Sequence, residues 1–356
     1  MSGFSSAVHP PISHLSLVTL YVTDRCNSRC RSCDYWRHGG THLSPDAVRR
    51  LLPSLEALGT RIVQLSGGEP LMSPDWPEIA AMLRAAGLEV WLLTAGLALA
   101  KSARKVCDLI DSVTVSLDGA DAATYAAIRG LDAFDKVCEG IRAVAALGLP
   151  PALRVTVQRD NFRQLPAFVS LAKDLGARSV SFLAVDVANP HAFGRTGDAI
   201  SDLALRREDL PEFEQVLSSL DKRHARDFRT GFIAESSSKL RRLHRYFSAL
   251  HGSGPFPAVR CNAPEFSAVV GAKGEVQPCF FIAGPPEPHA PGGDLEAVLN
   301  GAAMRALRTD IRAGRRPECR TCVCSMYRPG GQLLSRAPTA RASGPGAASR
   351  LGSIAP

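Results

Sequence analysis

The chain has 356 residues, of which 45% are hydrophobic and 21% are charged, and its formal net charge is +8. This composition is typical of a globular protein with one large domain and a smaller one, and it excludes a fibrous or fully disordered chain. The longest apolar run, near residues 90–100, is too short to cross a bilayer, and the first 14 residues lack the features of a secretory signal. We therefore expect a cytoplasmic protein with no membrane partner.

Strands and helices are predicted to alternate along the first half of the chain. The predicted strands lie at 15–23, 61–66, 89–94, 113–117, 153–158 and 179–185, and the predicted helices at 45–58, 77–86, 97–109, 121–128, 134–147 and 165–175. Most of these strands are expected to be apolar on both faces, which favours a parallel sheet covered by helices. A Rossmann-type sheet and an incomplete barrel both fit this alternation, and in both folds the chemistry gathers at the carboxyl ends of the strands.

The pattern changes after Asp186. A loop follows, then a charged helix is expected at 210–223, and from about Thr230 the chain is predicted to be irregular. Residues 332–356 are built mainly from Ala, Ser, Gly, Pro and Arg, which predicts a disordered tail. A solvated helix face and this tail explain much of the basic charge without a nucleic-acid partner; the helix-like stretch carries Arg241, Arg242 and Arg245.

Eight of the ten cysteines fall into an early and a late cluster, which favours metal binding over disulfides in a chain without a secretory signal. The early cluster follows the first predicted strand and consists of Cys26, Cys30 and Cys33. Three thiolates can bind three irons of a cubane cluster and leave the fourth iron open. A structural zinc site needs a fourth ligand, for which Asp34 and His38 are the candidates.

The late cluster consists of Cys261, Cys279, Cys319, Cys322 and Cys324. Gly271 and Gly274 predict a hairpin that brings Cys261 and Cys279 together. Four of these thiolates suffice for a complete [4Fe–4S] cluster, and two cysteine pairs also suit a zinc ribbon. The spacing alone leaves both sites open.

The early cysteines, with the x3 and x2 spacing after the first strand of a βα series, resemble the signature of the radical S-adenosylmethionine (SAM) superfamily over residues 15–186. The segment at 66–70 (SGGEP) is similar to the motif that binds the methionine amino group, and the segment at 116–119 (SLDG) is similar to a fourth-strand cofactor contact. Ser32 stands where relatives carry an aromatic residue, with Tyr35 and Trp36 just beyond it. The resemblance implies a partial (β/α)6 barrel that binds a [4Fe–4S] cluster and SAM; the implied cofactor-binding residues are Gly67, Gly68, Glu69, Thr94, Ser116, Asp118, Arg129 and Leu183.

The late cysteines resemble the SPASM and Twitch extensions of this superfamily, which carry auxiliary iron–sulfur clusters. A full SPASM extension has seven cysteines and two clusters, so five cysteines favour the Twitch type with one auxiliary [4Fe–4S] cluster. The implied ligands are Cys261, Cys279, Cys319 and Cys322, with Cys324 as a spare or as an alternative to Cys322. The implied domains are an N-terminal extension (1–14), the partial barrel (15–230), the Twitch-like domain (231–331) and the tail (332–356).

The resemblance implies an oxidoreductase or related enzyme that reductively cleaves SAM to a 5′-deoxyadenosyl radical and removes a hydrogen atom from its substrate. The auxiliary cluster then binds the substrate or accepts an electron, and flavodoxin or ferredoxin is the expected electron donor. Dehydrogenation of a small molecule is preferred to maturation of a peptide or protein side chain, because no peptide-binding winged-helix segment precedes Leu15. Candidate substrate contacts are His191, Arg195, Phe256, Pro257, Phe280 and Phe281.

Two other functions remain open at this point. One is an enzyme like the molybdenum-cofactor cyclase, although that enzyme's auxiliary cluster uses three cysteines and this chain has five. The other is a zinc-stabilised protein that binds nucleic acid through the basic stretch around Arg241. Metal content separates these classes, since iron and sulfide indicate the enzyme and zinc indicates the binding protein.

Overall fold

The computed structural model describes residues 10–189, 192–195, 200–282, 294–324 and 326–328. The strands in these ranges are β1 (Leu17–Thr23), β2 (Ile62–Gly67), β3 (Glu89–Thr94), β4 (Ser112–Ser116), β5 (Ala152–Val157), β6 (Ser179–Ala184), β7 (Ser267–Val270) and β8 (Val276–Gln277). The α-helices are α1 (Tyr35–His38), α2 (Pro45–Ala57), α3 (Trp76–Ala85), α4 (Leu99–Leu109), α5 (Ala122–Arg129), α6 (Phe134–Ala146), α7 (Leu165–Asp174), α8 (Leu210–Arg223), α9 (Ala225–Arg229), α10 (Ser237–Leu250), α11 (Ala263–Phe266), α12 (Leu295–Asn300), α13 (Ala302–Arg312) and α14 (Pro317–Arg320). Short 3₁₀ helices lie at Pro70–Met72, Phe162–Gln164, Ala192–Gly194, Ser201–Leu203 and Arg207–Asp209.

The strands form a single sheet in the order β6-β5-β4-β3-β2-β1-β7-β8. Strands β1 to β6 are parallel, and each pairs with the next strand along the chain. A Rossmann-type sheet reverses its strand order at a switch point, and these six strands show no reversal. The fold is therefore the partial (β/α)6 barrel, and the predicted alternation of strands and helices is confirmed.

The two faces of the barrel sheet differ in polarity. Outward-facing residues such as Val18, Leu65, Val115 and Val155 are fully buried beneath the helices. The side chains that alternate with them point inward, and many are polar; these are Thr19, Gln64, Ser66, Ser112, Thr114, Ser116, Arg154, Thr156 and Ser181. The prediction that most strands are apolar on both faces is wrong for this inner face, because an incomplete barrel leaves its interior partly open to solvent and ligands.

The helix-like stretch with Arg241, Arg242 and Arg245 belongs to α10, so the chain after Thr230 is less irregular than predicted. This helix buries Leu240, Leu243 and Phe247, and it contacts α8 and β6. Its N-terminus is capped by Ser236, whose hydroxyl accepts a hydrogen bond from the Lys239 backbone N–H. The basic residues on its other face obscure the apolar spacing in the sequence.

Strands β7 and β8 extend the barrel sheet beyond β1. Strand β7 is parallel to β1, and β8 is antiparallel to β7. The backbone N–H of Gly271 donates to the carbonyl of Glu275 at 2.8 Å, which closes the predicted hairpin. The segment that carries the late cysteines is therefore joined to the barrel by continuous backbone pairing.

The described part of the N-terminal extension lies against α12. Ile12 is buried, and its backbone N–H and carbonyl bond with the Asn300 side chain at 2.8 and 2.9 Å. The predicted tail at 332–356 lies outside the described residues, and the four domain boundaries stay predictions. Among the described helices, none has both the length and the apolar character that a bilayer span requires.

Candidate active site

The loop with the early cysteines leaves the carboxyl end of β1 and is fixed on two sides. On one side, the backbone N–H groups of Arg29 and Arg31 donate to the last carbonyls of α5 at 3.0 and 3.2 Å. On the other side, the Glu69 backbone N–H donates to the Arg25 carbonyl at 2.7 Å. These bonds hold the loop between the end of β2 and the end of α5.

The glycines that follow β2 allow this close approach. A Cβ atom on Gly67 would lie 2.1 Å from the Thr23 carbonyl oxygen, and one on Gly68 would lie 2.2 Å from the Arg25 carbonyl oxygen. Gly67 also has a φ of 120°, in the region that favours glycine. In this structure the two glycines therefore make room for the cysteine loop. Their predicted contact with the methionine group of SAM stays a prediction.

The three early thiols are free and lie partly buried in this loop. Burial raises the pKa of Cys26 to about 11 and that of Cys33 to about 12, and the nearby Cys30 adds to both shifts. The Cys26 sulfur accepts a hydrogen bond from the Ser28 backbone N–H at 3.4 Å. Since iron binds the thiolate form, these groups must release protons when a cluster forms.

A buried ion pair stands beside Cys30. The Arg129 guanidinium donates to the Cys30 sulfur at 3.5 Å and pairs with Asp118 at 2.9 Å. The other Asp118 oxygen accepts from the Thr156 backbone N–H at 2.7 Å, which anchors the pair to β5. Burial by itself lowers the pKa of Arg129, but Asp118 and Cys30 raise it above its ordinary value, so the guanidinium stays charged next to the thiol.

Glu69 joins the ends of β2 and β3. Its carboxylate accepts hydrogen bonds from the Thr94 hydroxyl at 2.6 Å, the Ala95 N–H at 2.7 Å and the Leu71 N–H at 3.2 Å. The residue is fully buried, and this burial raises the pKa of its carboxyl group. Sequence reasoning missed this structural role, because it depends on β3 lying beside β2.

The late cysteines line one small cavity of 60 Å³, together with Phe280, Phe281 and Met326. Burial raises the pKa of Cys279 to about 12 and that of Cys319 to about 11, and the nearby Cys261 adds to both shifts. All five late thiols are free, and all five line this cavity. Which four of them bind metal stays a prediction.

The late thiols supply enough ligands for an iron–sulfur cluster. A cubane cluster places each thiolate on a different iron, so its four ligands lie at separate corners. A zinc ribbon instead needs four side chains that converge on one ion.

A second, larger cavity lies between the barrel and the late cysteines, and we call it the inner cavity. It has a volume of 380 Å³. Its walls come from β5, β6, α10, α14 and the late cysteine segment, and they include Arg154, Ser181, Leu183, Glu235, Lys239, Arg242, Tyr246, Phe256, Arg320, Cys322 and Cys324. Sequence reasoning found Leu183 and Phe256 but missed the charged residues, for which Arg154 within an apolar strand was the available signal.

Several candidates from the sequence have other partners in the structure. The Asp34 carboxylate pairs with Arg37 at 2.9 Å, which weakens its case as a zinc ligand. Arg195 is buried, and its guanidinium donates to the carbonyls of Asp186 and Asn189, so it supports the loop after β6. His191 lies outside the described residues, and so does the side chain of His38.

The two aromatic residues after Ser32 each contact another side chain of the protein. Tyr35 packs edge-on against Tyr21 of β1, with ring centroids 5.7 Å apart. The Arg37 guanidinium lies 4.2 Å from the ring centre of Trp36.

A parallel partial barrel whose first strand ends in a three-cysteine loop defines a class of α/β enzymes that bind an iron–sulfur cluster. Residues 20–172 match the family model of the Radical SAM superfamily. This part of the chain is a radical SAM domain. The cofactors of the superfamily are a [4Fe–4S] cluster and SAM, which the early cysteine loop and the barrel fit.

Known proteins with similar sequences or folds include radical SAM enzymes of different activity. The chain is 36% identical over 162 residues to a GTP 3′,8-cyclase of Klebsiella pneumoniae, covering 42% of this chain and 49% of that protein. It is 35% identical over 179 residues to a PqqA peptide cyclase of Methylorubrum populi, covering 49% and 45%. The matched segment therefore spans about half the length of these relatives.

The solved structure of Streptococcus suis SuiB bound to S-adenosylmethionine has the same fold. It superimposes with a TM-score of 0.65 at 14% identity and covers 90% of this chain and 74% of SuiB. The structural match therefore extends past the radical SAM domain into the region of the late cysteines.

Proposed function

We propose that this protein is a two-cluster radical SAM enzyme that removes a hydrogen atom from a small-molecule substrate held in the inner cavity, with a dehydrogenation as the preferred outcome. Cys26, Cys30 and Cys33 hold the first cluster, and four of the late cysteines hold an auxiliary [4Fe–4S] cluster. The auxiliary cluster binds the substrate or passes on an electron. A flavodoxin or ferredoxin supplies the reducing electron, and the protein works in the cytoplasm.

The position of the inner cavity carries this proposal. The same cavity is lined by Leu183 on the inner face of the barrel and by Cys322 and Cys324 of the late cluster. A substrate there lies between the cofactor-binding barrel and the auxiliary site. The volume of 380 Å³ is within the range of small-molecule sites.

The bound cofactors supply the difficult step, which is reductive cleavage of SAM to a 5′-deoxyadenosyl radical. The protein's own residues position and insulate the reacting groups. Arg129 keeps a positive charge beside Cys30, while Asp118 fixes its orientation. Gly67, Gly68, Glu69, Thr94 and Ser116 lie at the carboxyl ends of their strands, where the predicted SAM site forms.

Two alternative substrates have support from the similar proteins. The resemblance to a GTP 3′,8-cyclase supports a cyclase-type reaction on a nucleotide, although five late cysteines exceed the three of that enzyme's auxiliary cluster. The resemblance to a PqqA peptide cyclase supports modification of a peptide. The volume of the inner cavity, 380 Å³, suits a small molecule or a single side chain of a peptide better than a longer peptide segment.

The nucleic-acid alternative loses support from the contacts of α10. Arg241 forms ion pairs with Glu214 and Asp221 on α8, the second at 2.8 Å. Arg242 donates to the Ala258 carbonyl at 2.9 Å. Both arginines are thus already engaged within the protein.

The decisive experiment is anaerobic purification and reconstitution, followed by measurement of iron, sulfide, zinc and 5′-deoxyadenosine. We expect two cubanes, about eight irons per chain, and SAM cleavage that is abolished by Cys26→Ala, Cys30→Ala or Cys33→Ala, since each removes a ligand of the first cluster. Cys107→Ala is the matched control, because Cys107 lies on α4 away from either cluster. Deoxyadenosine production at the wild-type rate by an early-cysteine variant, or zinc in place of iron, would refute the proposal.

A further inference from the structure

The inner cavity has an unusual balance of charge. Four cationic side chains line it, from three separate elements: Arg154 of β5, Lys239 and Arg242 of α10, and Arg320 of α14. Glu235 is the one carboxylate among its lining residues in the described chain. The Glu235 carboxylate accepts a hydrogen bond from the Phe182 backbone N–H at 2.8 Å, so it is held against β6.

Within the described residues, three of these four cations form no ion pair; they are Arg154, Lys239 and Arg320. Burial raises the pKa of Glu235, and the nearby Lys239 and Arg154 oppose that rise only in part. One carboxylate therefore faces several positive charges, and the cavity keeps an excess of positive charge.

The position of Arg154 in the sheet places one of these positive charges on the inner face of the barrel. It is in register with Ser116 on β4 and with Ser181 on β6, so the three side chains form a row across the inner face. Arg154 is exposed, as are Lys239 and Arg320, so these charges are open to a ligand that enters the cavity. A concave surface with one sign of charge concentrates counter-ions, which favours an anionic ligand.

We infer that the inner cavity binds its substrate through a phosphate or carboxylate group, held chiefly by Arg154 and Lys239, with Arg320 at the side of the late cysteines. This inference rests on the proposed function, because it takes the inner cavity as the substrate site. It narrows the substrate class to small anionic molecules. The anionic group fixes one end of the substrate, so the C–H bond that reacts belongs to the part extending toward the barrel interior.

A competing explanation is that the cations only neutralise the thiolates of the auxiliary cluster. Arg154 and Lys239 both act on Cys324, since each opposes the rise in the pKa of that thiol that burial causes. Another explanation is that Arg154, beside Ser116, holds the carboxylate of SAM itself. The test must therefore report ligand binding, auxiliary iron and SAM affinity separately.

The test is anaerobic calorimetry on the reconstituted protein at fixed ionic strength with saturating SAM, using inorganic pyrophosphate and citrate as separate probes. The wild-type protein should bind at least one probe, and the stronger probe identifies phosphate or carboxylate as the preferred group. Arg154→Gln and Lys239→Gln should each weaken binding by about ten-fold or more, the loss of one charge-assisted hydrogen bond. Arg154→Lys should recover much of the affinity, because it keeps the charge.

The matched control is Arg104→Gln, which removes an exposed arginine from α4 outside the cavity and should leave probe binding unchanged. The inference is overturned if neither probe binds the wild-type protein, or if the cavity variants bind the probes as the wild type does. It is also overturned if the weaker binding follows a matching loss of auxiliary iron or of SAM affinity. Absent probe binding with intact deoxyadenosine production refutes the inference alone, whereas probe binding by a protein that cannot cleave SAM refutes the proposed function alone.

Discussion

The absence of a Cβ atom at Gly68 determines how closely the cysteine loop can approach the end of β2. The backbone of the loop passes so close to this residue that a side chain would collide with main-chain atoms, which cannot swing aside as a flexible side chain can. The requirement exists before any cofactor binds. Glycine here serves the position of the thiols at least as directly as it serves the predicted SAM site.

We expect Gly68→Ala to lower the iron content of the first cluster severely while the barrel stays folded, because the new Cβ must displace the loop at Arg25. Iron per chain and the visible absorption of the cluster measure the effect, and circular dichroism reports the fold. Gly40→Ala is the matched control, since no atom lies within 4 Å of its Cβ position. Equal iron content in the two variants would show that the loop tolerates the displacement.

At the scale of whole elements, α5 is the wall against which the cysteine loop rests. The helix begins at the N-cap Asp121, whose carboxylate accepts from the Thr124 N–H at 2.8 Å, and it ends at Gly130 in a left-handed conformation. Its last carbonyls hold the loop, and Arg129 in its last turn reaches Cys30. If the end of α5 frays, the cysteine loop therefore loses hydrogen bonds that hold it in place, and the first site is loosened.

We expect Asp121→Ala to reduce the free energy of unfolding by about 1 kcal/mol at pH 7, the usual cost of losing an N-cap. The hydrogen bond from Thr124 lowers the pKa of Asp121 below 3.8, so the cap contributes fully above that pH and is lost as the pH falls below it. Denaturant unfolding at pH 7 and at lower pH measures the difference between wild type and variant, which should shrink in acid. Asp121→Asn should lose much less, because asparagine also caps helices; an equal loss would contradict the capping explanation.

The sequence predicted most barrel elements within two residues, because apolar runs bounded by glycine, proline or polar residues mark strands such as β3 and helices such as α7. It marked the stretch around Arg241 as helix-like but did not predict the bounds of α10, because basic residues obscure the buried face. The cysteine spacing located both clusters of thiols. Contacts that depend on strand register, such as Glu69 with Ala95 or Arg154 between Ser116 and Ser181, could not be predicted from local pattern.

On the scale of the molecule, the early and late thiols belong to one sheet but to different parts of it. The early loop follows β1, while the late cysteines surround the β7–β8 hairpin on the neighbouring side. The two clusters therefore share a scaffold without sharing ligands. This arrangement predicts that the two sites can be separated by substitution.

We expect a Cys261→Ala/Cys279→Ala variant to keep the iron of the first cluster and to make some deoxyadenosine, while it loses conversion of its true substrate. The reason is that it removes two ligands from the auxiliary site and none from the early loop. Iron and sulfide analysis should show about half the wild-type content, the equivalent of one cubane. A wild-type protein that already holds only about four irons per chain would contradict the two-cluster assignment.

The pairing of β7 with β1 also has a consequence for the newborn chain. Leu17 is the register partner of Ser267. One edge of β1 therefore stays unpaired until β7, far along the chain, has left the ribosome. At 5–20 residues per second the wait is on the order of ten seconds or longer. Unpaired strand edges recruit other chains, so the yield of this protein in a cell depends on what shields β1 during that interval.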